Sequence, residues 1–576
     1  MSKASRRSRK ERKGAPREPS RGRAAELRGS TVENVPATGL AKYGAIAAVV
    51  AVMVIVALVR FRLADVPLER DEGEYAYAGQ LILQGIPPYQ LAYNMKLPGT
   101  YYAYSLIEAL FGQTASGIHT GLLLLNAATT LVIFYLGRRL MGPFGGAVSA
   151  IAFAILSLDR WVMGVFAHAT HFVILPALGG FLLLVRPIES RTNASVIGAG
   201  LLLGISILMK QQAVFFMLLA IALVLLDGGA QKEHFRTRLL RTGLFLLSSV
   251  IPFAIICAVL TAQGVFDKFW FWTFQYAREY VSEIPLSSAW GMFVDGFKRI
   301  TRATLLLWLL AAAGFVLLWV VRWKGEVRVF LTGLLLVSLL ALSPGFYFRQ
   351  HYFILLLPAA ALLVGMACVS IKRGAARMMP ATVSRGLAAL VFVVATSAYV
   401  IKEQEYLFSL PTRDLSRDVY GANPFVESPD ISRYLEQHTK PDDRIAVLGS
   451  EPQIYFYARR KSATGHIYTY GLMEPQKYKQ RMQDEMIQEI EATRPEYIVF
   501  VKMSISWLAR QSDEKILTWA DQYTRQCYEI AGVVDIHSRE RSEIVWDAAV
   551  LAYQPKSDNV IHIYRRKVGG QCTASS

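Results

Sequence analysis

Four carboxylates crowd one short stretch, LERDEGEYAYAGQ, at Glu69, Asp71, Glu72 and Glu74. The apolar run AIAAVVAVMVIVALV ends only a few residues before them. A carboxylate at a low-dielectric boundary has its pKa raised by desolvation, which suits a general base. Asp71 and Glu72 precede a predicted helix over 73–84. Acids at a helix N-terminus are favoured by about 0.3–1 kcal/mol through the dipole alone. That accounts for one or two acids, and four beside lipid are a surplus. Asp71 is the first candidate for chemistry, with Glu72 beside it. Tyr75 and Tyr77 suit a membrane interface.

Further candidates follow along the chain. Pro87-Pro88 ends the helix. Tyr93 comes next, then Lys96 in KLPG, which either snorkels to lipid headgroups or holds a phosphate as a point charge. The segment SLDRWVMGVFAHATH supplies Asp159, Arg160, His168 and His171. An interfacial histidine is usually bland, and HATH has i, i+3 spacing with no acid inside it, so a metal centre is the minor reading. The aromatics of DKFWFWTFQYAREY read as an interfacial belt, and Arg278 within them could meet a lipid phosphate. FYFRQHY sets Arg349, His351 and Tyr352 at the mouth of an apolar run, where unpaired charge is costly and points to function.

The elements that must position these residues lie in lipid. Of the 576 residues, 53% are hydrophobic and 18% charged. Eleven spans are predicted, at 42–60, 116–136, 143–157, 171–185, 195–209, 211–226, 238–263, 302–322, 327–343, 351–370 and 385–402. The formal charge is 62 − 44 = +18, much of it in the tail over residues 1–41. That tail reads as disordered and cytoplasmic, and residues 42–60 as an uncleaved signal anchor. The loops after the even-numbered spans, GRRLMG, RPIESRTN, QKEHFRTRLLR, VRWKGEVR and KRGAARMMPATVSR, are all basic, as the positive-inside rule requires. This agreement needs a break at Lys210. All the candidate residues then face outside.

After residue 403 the apolar runs shorten. Strands are predicted at 444–450 and 496–502, with a further strand in NVIHIYRR. Helices are predicted through EPQIYFYARR and QRMQDEMIQEIEATRP, and a helix followed by a strand in ILTWADQYTRQCYEIAGVVDI. The alternation suggests an extracytoplasmic α/β domain over 404–576. Cys257 and Cys368 read as buried thiols, and Cys527 and Cys572 could pair outside the cytosol. The expected fold class is thus a polytopic α-helical membrane protein, with a catalytic membrane domain over 42–403 and a C-terminal α/β domain.

Taken together these residues resemble the GT-C class of membrane glycosyltransferases. The likeness is to the protein O-mannosyltransferases, the lipid A aminoarabinose transferase and the RgtA/B/C/D-like enzymes. It rests on Asp71-Glu72 after the first span, Lys96 and Pro98 before the second, Asp159, Lys210 in LMKQQA, and Arg349, His351, Tyr352 and Pro358 near LLLPAAALL. The chain departs from the pattern at His171, where relatives often carry Glu, and in KLPG, where they often have KPPL or HPPL. The resemblance implies an inverting transfer of sugar from a polyprenyl-phosphate donor to a lipid, glycan or protein acceptor, at the outer face of a bacterial plasma membrane. Asp71 would be the base, supported by Glu72 and Asp159. Lys96, Lys210, Arg278 and Arg349 would offset the phosphate charge. Tyr75, Tyr93, His168, His171, His351 and Tyr352 would contact substrate. Some relatives use a divalent metal ion and others do not, so no cofactor is assigned. No nucleotide-binding fingerprint stands out. The basic tail fits topology better than nucleic-acid binding. A transporter or flippase of lipid-linked sugars is the alternative, although charges at one outer boundary, without an internal repeat, suit it poorly. A membrane scaffold would leave the carboxylates unexplained.

Overall fold

A computed structural model of the chain describes residues 39–185, 192–225, 235–281, 284–508 and 515–567. The chain divides into a short unit, residues 1–44, and a second unit, residues 45–576, which carries everything below. The basic tail and Cys572 lie outside the described residues.

Among the described residues, six helices are long and apolar enough to cross a membrane: Tyr43–Arg62, Ala115–Leu156, Phe235–Ala262, Gly325–Leu342, Gln350–Ala375 and Ala381–Lys402. The bent pair Leu286–Thr301 and Leu305–Val320 makes a seventh if counted as one span. Three shorter apolar helices, Ala169–Leu184, Asn193–Met209 and Gln211–Leu225, complete the set. Every stretch expected to span falls on one of these helices, but length and composition do not return eleven spans. Outward faces carry exposed leucine and valine, as at Leu247, Val250 and Val394, whereas Gln350–Ala375 is almost wholly enclosed.

Two breaks shape this bundle. Ala115–Leu156 runs without a gap, yet Gly142 has φ 83° and Pro143 follows it. A Cβ on Gly137 would lie 2.9 Å from the Cα of Gly146. Nine residues of straight helix would separate these positions by about 13 Å. The helix therefore folds back at Gly142-Pro143, which the sequence reading had as two spans. The second break is at Lys210, whose extended backbone (φ −161°, ψ 134°) ends Asn193–Met209. Continuing the helix would have carried a lysine into the apolar layer, at several kcal/mol by order of magnitude.

Two shorter helices follow the first span: α1, Arg70–Leu83, and α2, Gly99–Phe111. The C-terminal region forms a mixed six-stranded sheet of β1 (Arg444–Leu448), β2 (Lys461–Ser462), β3 (Tyr497–Lys502), β4 (Tyr528–Ile536), β5 (Ser542–Trp546) and β6 (Val560–Arg566), in the order β2-β1-β3-β6-β4-β5. β1 pairs in parallel with β2 and β3, while β6 joins β3 to β4 antiparallel. The sheet's helices occupy the expected stretches, at Gln453–Ala458, Lys479–Thr493 and Lys515–Cys527. Cys257 and Cys368 are free thiols, and Cys527 is disulfide-bonded.

This domain packs directly on α1. A Cβ on Gly73 would lie 2.5 Å from the backbone nitrogen of Gln453, so the α1 backbone and the helix Gln453–Ala458 touch without intervening side chains. Tyr77 stacks on Tyr455 at 5.2 Å, and its hydroxyl accepts from the Ser462 N–H at 2.7 Å.

Candidate active site

The acids of LERDEGEYAYAGQ part company as α1 begins. Glu69 and Glu72 form a reciprocal cap: Glu72 N–H donates to Glu69 Oε1 at 2.9 Å, and Glu69 N–H donates to Glu72 Oε2 at 3.2 Å. This is the capping-box pattern, with Glu at the first position in place of Ser or Thr. The other Glu72 oxygen meets His119 Nε2 at 2.9 Å and accepts from the Ala167 N–H. Glu72 is fully buried. Both of its oxygens hold the start of α1, Oε2 in the cap and Oε1 on His119 and the Ala167 N–H.

Asp71 and Glu74 project elsewhere and share one cation. Lys96 Nζ lies 2.9 Å from Asp71 Oδ1 and 2.5 Å from Glu74 Oε2. Tyr101 donates to Glu74 Oε1 at 2.6 Å. Lys96 also sits 4.5 Å over the Tyr75 ring, which packs edge-on to Tyr104 at 5.3 Å. Asp71 keeps access to solvent, whereas Glu74 has none. Burial raises both carboxyls. At Asp71 the charge of Lys96, aided by His351 and His168, prevails and holds the group well below the usual carboxylate range. At Glu74 burial prevails and the group is raised.

On the far side of Asp71 stand two histidines. His168 and His351 stack at 4.1 Å with planes 16° apart. His168 Nδ1 lies 3.9 Å from Asp71 Oδ2 and 3.6 Å from Glu69 Oε1, with no hydrogen-bond partner. Burial lowers His168 to about 4, so its ring is neutral at pH 7. Asp71, His168 and His351 offer three donor atoms that all lie within 4.8 Å of one another, a group that could hold a metal ion.

Two further cations complete the region. Lys210 Nζ lies 4.3 Å over the Tyr352 ring. Burial lowers Lys210 to about 7, against the pull of Asp71 and with the help of Lys96 and Arg349. Arg349 lies over Tyr347 at 5.3 Å and is exposed, although Tyr280, Tyr352 and Tyr470 surround it. Neither Lys210 nor Arg349 has a carboxylate partner among the described residues. Positions far apart in sequence, at Lys96, His168, Lys210, and Arg349 with His351, thus gather toward Asp71 from four segments.

Other expected residues take different places. Asp159 is buried, capping a short turn through the Trp161 N–H at 3.1 Å, with the Thr304 hydroxyl at 3.4 Å. It joins a cluster with Arg160 and Glu403, and no contact among the described residues ties it to Asp71. The Tyr93 hydroxyl donates to Glu489 at 2.8 Å and its ring stacks on Trp272 at 5.5 Å, so it braces the C-terminal domain. His171 is fully enclosed in Ala169–Leu184, and neither ring nitrogen has a partner. Arg278 is exposed in the short helix Ala277–Val281, two residues before Tyr280. Tyr468 was not anticipated. Its hydroxyl donates to Asp71 Oδ1 at 2.7 Å, from the C-terminal domain and 397 positions away in sequence. Nothing in a single sequence signals such a contact.

Comparison with known proteins agrees with this architecture. Residues 95–256 match the family model described as dolichyl-phosphate-mannose-protein mannosyltransferase. No curated protein matches the chain in sequence. Among solved structures, the crystal structure of ArnT from Cupriavidus metallidurans bound to undecaprenyl phosphate aligns with TM-score 0.55 at 16% identity, covering 89% of this chain and 99% of that one. The archaeal oligosaccharyltransferase AglB from Archaeoglobus fulgidus, in complex with an inhibitory peptide and a dolichol-phosphate, aligns with TM-score 0.49 at 12% identity, covering 87% and 74%. The first likeness establishes a shared fold; the second is too slight to add to it. The chain resembles the GT-C membrane glycosyltransferases in both family model and fold.

Proposed function

We propose that this chain is an inverting glycosyltransferase that moves a sugar from a polyprenyl-phosphate donor to a hydroxyl of a lipid, glycan or protein acceptor. The carrying observation is one solvent-accessible carboxylate, Asp71, whose oxygen lies within 4.8 Å of a ring nitrogen of His351, in the segment 349–352 that carries Arg349 and the ring under Lys210, two cations without a carboxylate partner among the described residues. A base and an anion site side by side suit attack by a hydroxyl on a carbon whose leaving group is a phosphate. Asp71 takes the acceptor proton as its oxygen attacks the anomeric carbon. The C–O bond to the lipid phosphate breaks on the opposite face, which inverts the configuration. Lys210 and Arg349 stabilise the departing phosphate charge. Lys96 is the third cation, and its charge is already shared by Asp71 and Glu74. The ArnT structure, with undecaprenyl phosphate bound on a related fold, supports a lipid-linked donor.

The reading extends to location. Basic loops on one side and the site residues on the other support an outer-face site in a bacterial plasma membrane, with the N-terminus inside. The disulfide at Cys527 favours an oxidising compartment for the C-terminal domain.

By donor type, Asp71, His168 and His351 suit a divalent ion such as zinc, which would supply Lewis-acid stabilisation of the phosphate. By charge they do not suit it. Asp71 already receives Lys96 and Tyr468, and Lys210 and Arg349 add positive charge at the same point. An ion there would also take Oδ2, the oxygen the base needs. We therefore assign no step to a metal.

The test is turnover of a panel of undecaprenyl-phosphate sugars by the purified protein in nanodiscs, with a membrane extract as acceptor source. Release of undecaprenyl phosphate together with a product of inverted anomeric configuration is expected. Passage of the intact donor across vesicles without bond cleavage would replace this reading with the transporter.

A further inference from the structure

We infer that Tyr468 of the C-terminal domain is the positioning residue for the base, holding Asp71 so that Oδ2 alone is free to receive the acceptor proton. This rests on the proposed function, since it concerns the carboxylate that reading makes the base.

The two oxygens of Asp71 are not equivalent. Oδ1 accepts from Tyr468 at 2.7 Å and from Lys96 at 2.9 Å. Oδ2 has His168 Nδ1 as its nearest nitrogen, at 3.9 Å, which is no hydrogen bond. A carboxylate held by one donor can still turn about its last side-chain bond. Two donors converging on the same oxygen, one from the membrane unit and one from the C-terminal domain, fix the plane and leave the other oxygen presented. Oδ2 then faces the stacked pair His168 and His351, so the acceptor hydroxyl must enter on that side.

Tyr468 can do this because its loop is tied at both ends. On one side, Tyr93 N–H donates to Gly465 O at 2.7 Å, and the Gly465 N–H and Thr464 hydroxyl reach Glu489 Oε2 at 2.9 and 2.6 Å. A Cβ on Gly465 would lie 2.1 Å from the Tyr93 ring, so only glycine allows this approach. On the other side, Thr469 N–H donates to Ser450 Oγ at 3.0 Å and its hydroxyl to Ser506 O at 3.0 Å. Tyr470 donates to Ile505 O at 3.0 Å while its ring lies 5.1 Å from the Arg70 guanidinium, one residue before Asp71. Arg70 in turn pairs with Glu451 at 3.0 Å. The C-terminal domain therefore grips the first turn of α1 on either side of the base. Its catalytic contribution is one phenol delivered to one carboxylate oxygen.

The titratable groups around Asp71 are Glu69, Glu74, Lys96, His168, Lys210, Arg349 and His351, with the phenols of Tyr75, Tyr280, Tyr352, Tyr420 and Tyr470, and a Tyr468→Phe variant leaves all of them in place. Hydrogen bonds to the charged form lower a carboxyl's pKa. Loss of this one moves the acid limb of the pH–rate profile upward as well as slowing the reaction. The experiment compares wild type, Tyr468→Phe and Asp71→Asn on the undecaprenyl-phosphate sugar that wild type turns over fastest. It also records undecaprenyl phosphate binding and melting temperature. For Tyr468→Phe we expect kcat to fall by about 10- to 100-fold, the scale of a lost hydrogen bond to a charged group. Donor KM, undecaprenyl phosphate binding and melting temperature should stay near wild type, with the acid limb displaced to higher pH. An unchanged kcat and acid limb in Tyr468→Phe, alongside an inactive Asp71→Asn, overturns the inference and leaves the proposed function standing. A raised KM at unchanged kcat also overturns it, making Tyr468 a substrate contact. An active Asp71→Asn, or no turnover of any donor by wild type, overturns the function and the inference together.

Discussion

Lys96 is ion-paired to Asp71 across 2.9 Å, and its charge is the main reason a half-buried carboxyl stays ionised. Burial alone would push Asp71 up, toward the protonated form that cannot act as a base. The sign of a prediction follows. Replacing Lys96 by Met removes the opposing charge, so Asp71 is protonated over a higher pH range and the rate at pH 7 falls. A loss of about 10²-fold or more is expected, on the scale of general-base catalysis. It should be partly recovered as pH rises, because the carboxyl then ionises. The pH dependence of kcat/KM for Lys96→Met against wild type checks this; a loss with no pH-dependent recovery would place Lys96 on the donor instead.

Lys210 is lowered by burial to about 7. It is charged below that pH and neutral above it. Affinity for undecaprenyl phosphate should therefore weaken by about tenfold between pH 6 and pH 8 if this charge contacts the phosphate. A Lys210→Arg variant, whose guanidinium stays charged throughout, should flatten that dependence. Equilibrium binding of undecaprenyl phosphate across this range is the measurement.

Gly465 of the C-terminal domain lies directly against the Tyr93 ring. Gly465→Ala places a methyl into the Tyr93 ring, 2.1 Å from its nearest atom. The domain must shift, at about 1–3 kcal/mol for overpacking. A lower melting temperature and a loss of turnover are expected together, since the same loop carries Tyr468. A thermal melt followed by tryptophan fluorescence, with parallel activity, tests it.

The charge argument against a metal at Asp71, His168 and His351 has its own check. Prolonged chelation with EDTA is expected to leave turnover unchanged, and metal analysis of the purified protein to find less than one zinc per chain. Activity abolished by EDTA and restored by zinc would put an ion on Asp71 Oδ2 and displace the base from that oxygen.

The membrane unit was largely legible because its signals are local. Apolar runs sit on the chain where they act, and the break at Lys210 was expected from the charge of both flanking loops. The C-terminal domain was legible in its long strands, whose buried runs stand out. β2 was missed because two residues carry no pattern, and β5 because SEIVW is only half-buried and does not alternate. The site was half legible. Asp71, Lys96, Lys210 and Arg349 were found as charges at a boundary where charge is costly. The division of labour among the acids was not. Glu72 and Asp159 have the same chemistry as Asp71, and only three dimensions reveal that their oxygens are spent on backbone N–H groups, His119 and Thr304. Tyr93 carried an expectation and Tyr468 none. The nearer tyrosine braces the distant domain, and the distant one reaches the carboxylate.

The most direct test of the central claim is Asp71→Asn. The amide keeps the shape of the carboxylate but cannot take a proton. With the undecaprenyl-phosphate sugar that wild type accepts, turnover should fall by about 10²–10⁴-fold, as expected for a lost general base. Undecaprenyl phosphate should still bind, and the melting temperature should stay close to wild type. Glu72→Gln makes the contrast, since it should weaken the fold through the cap of α1. Wild-type turnover by Asp71→Asn would contradict the account and leave the carboxylate as a structural partner of Lys96.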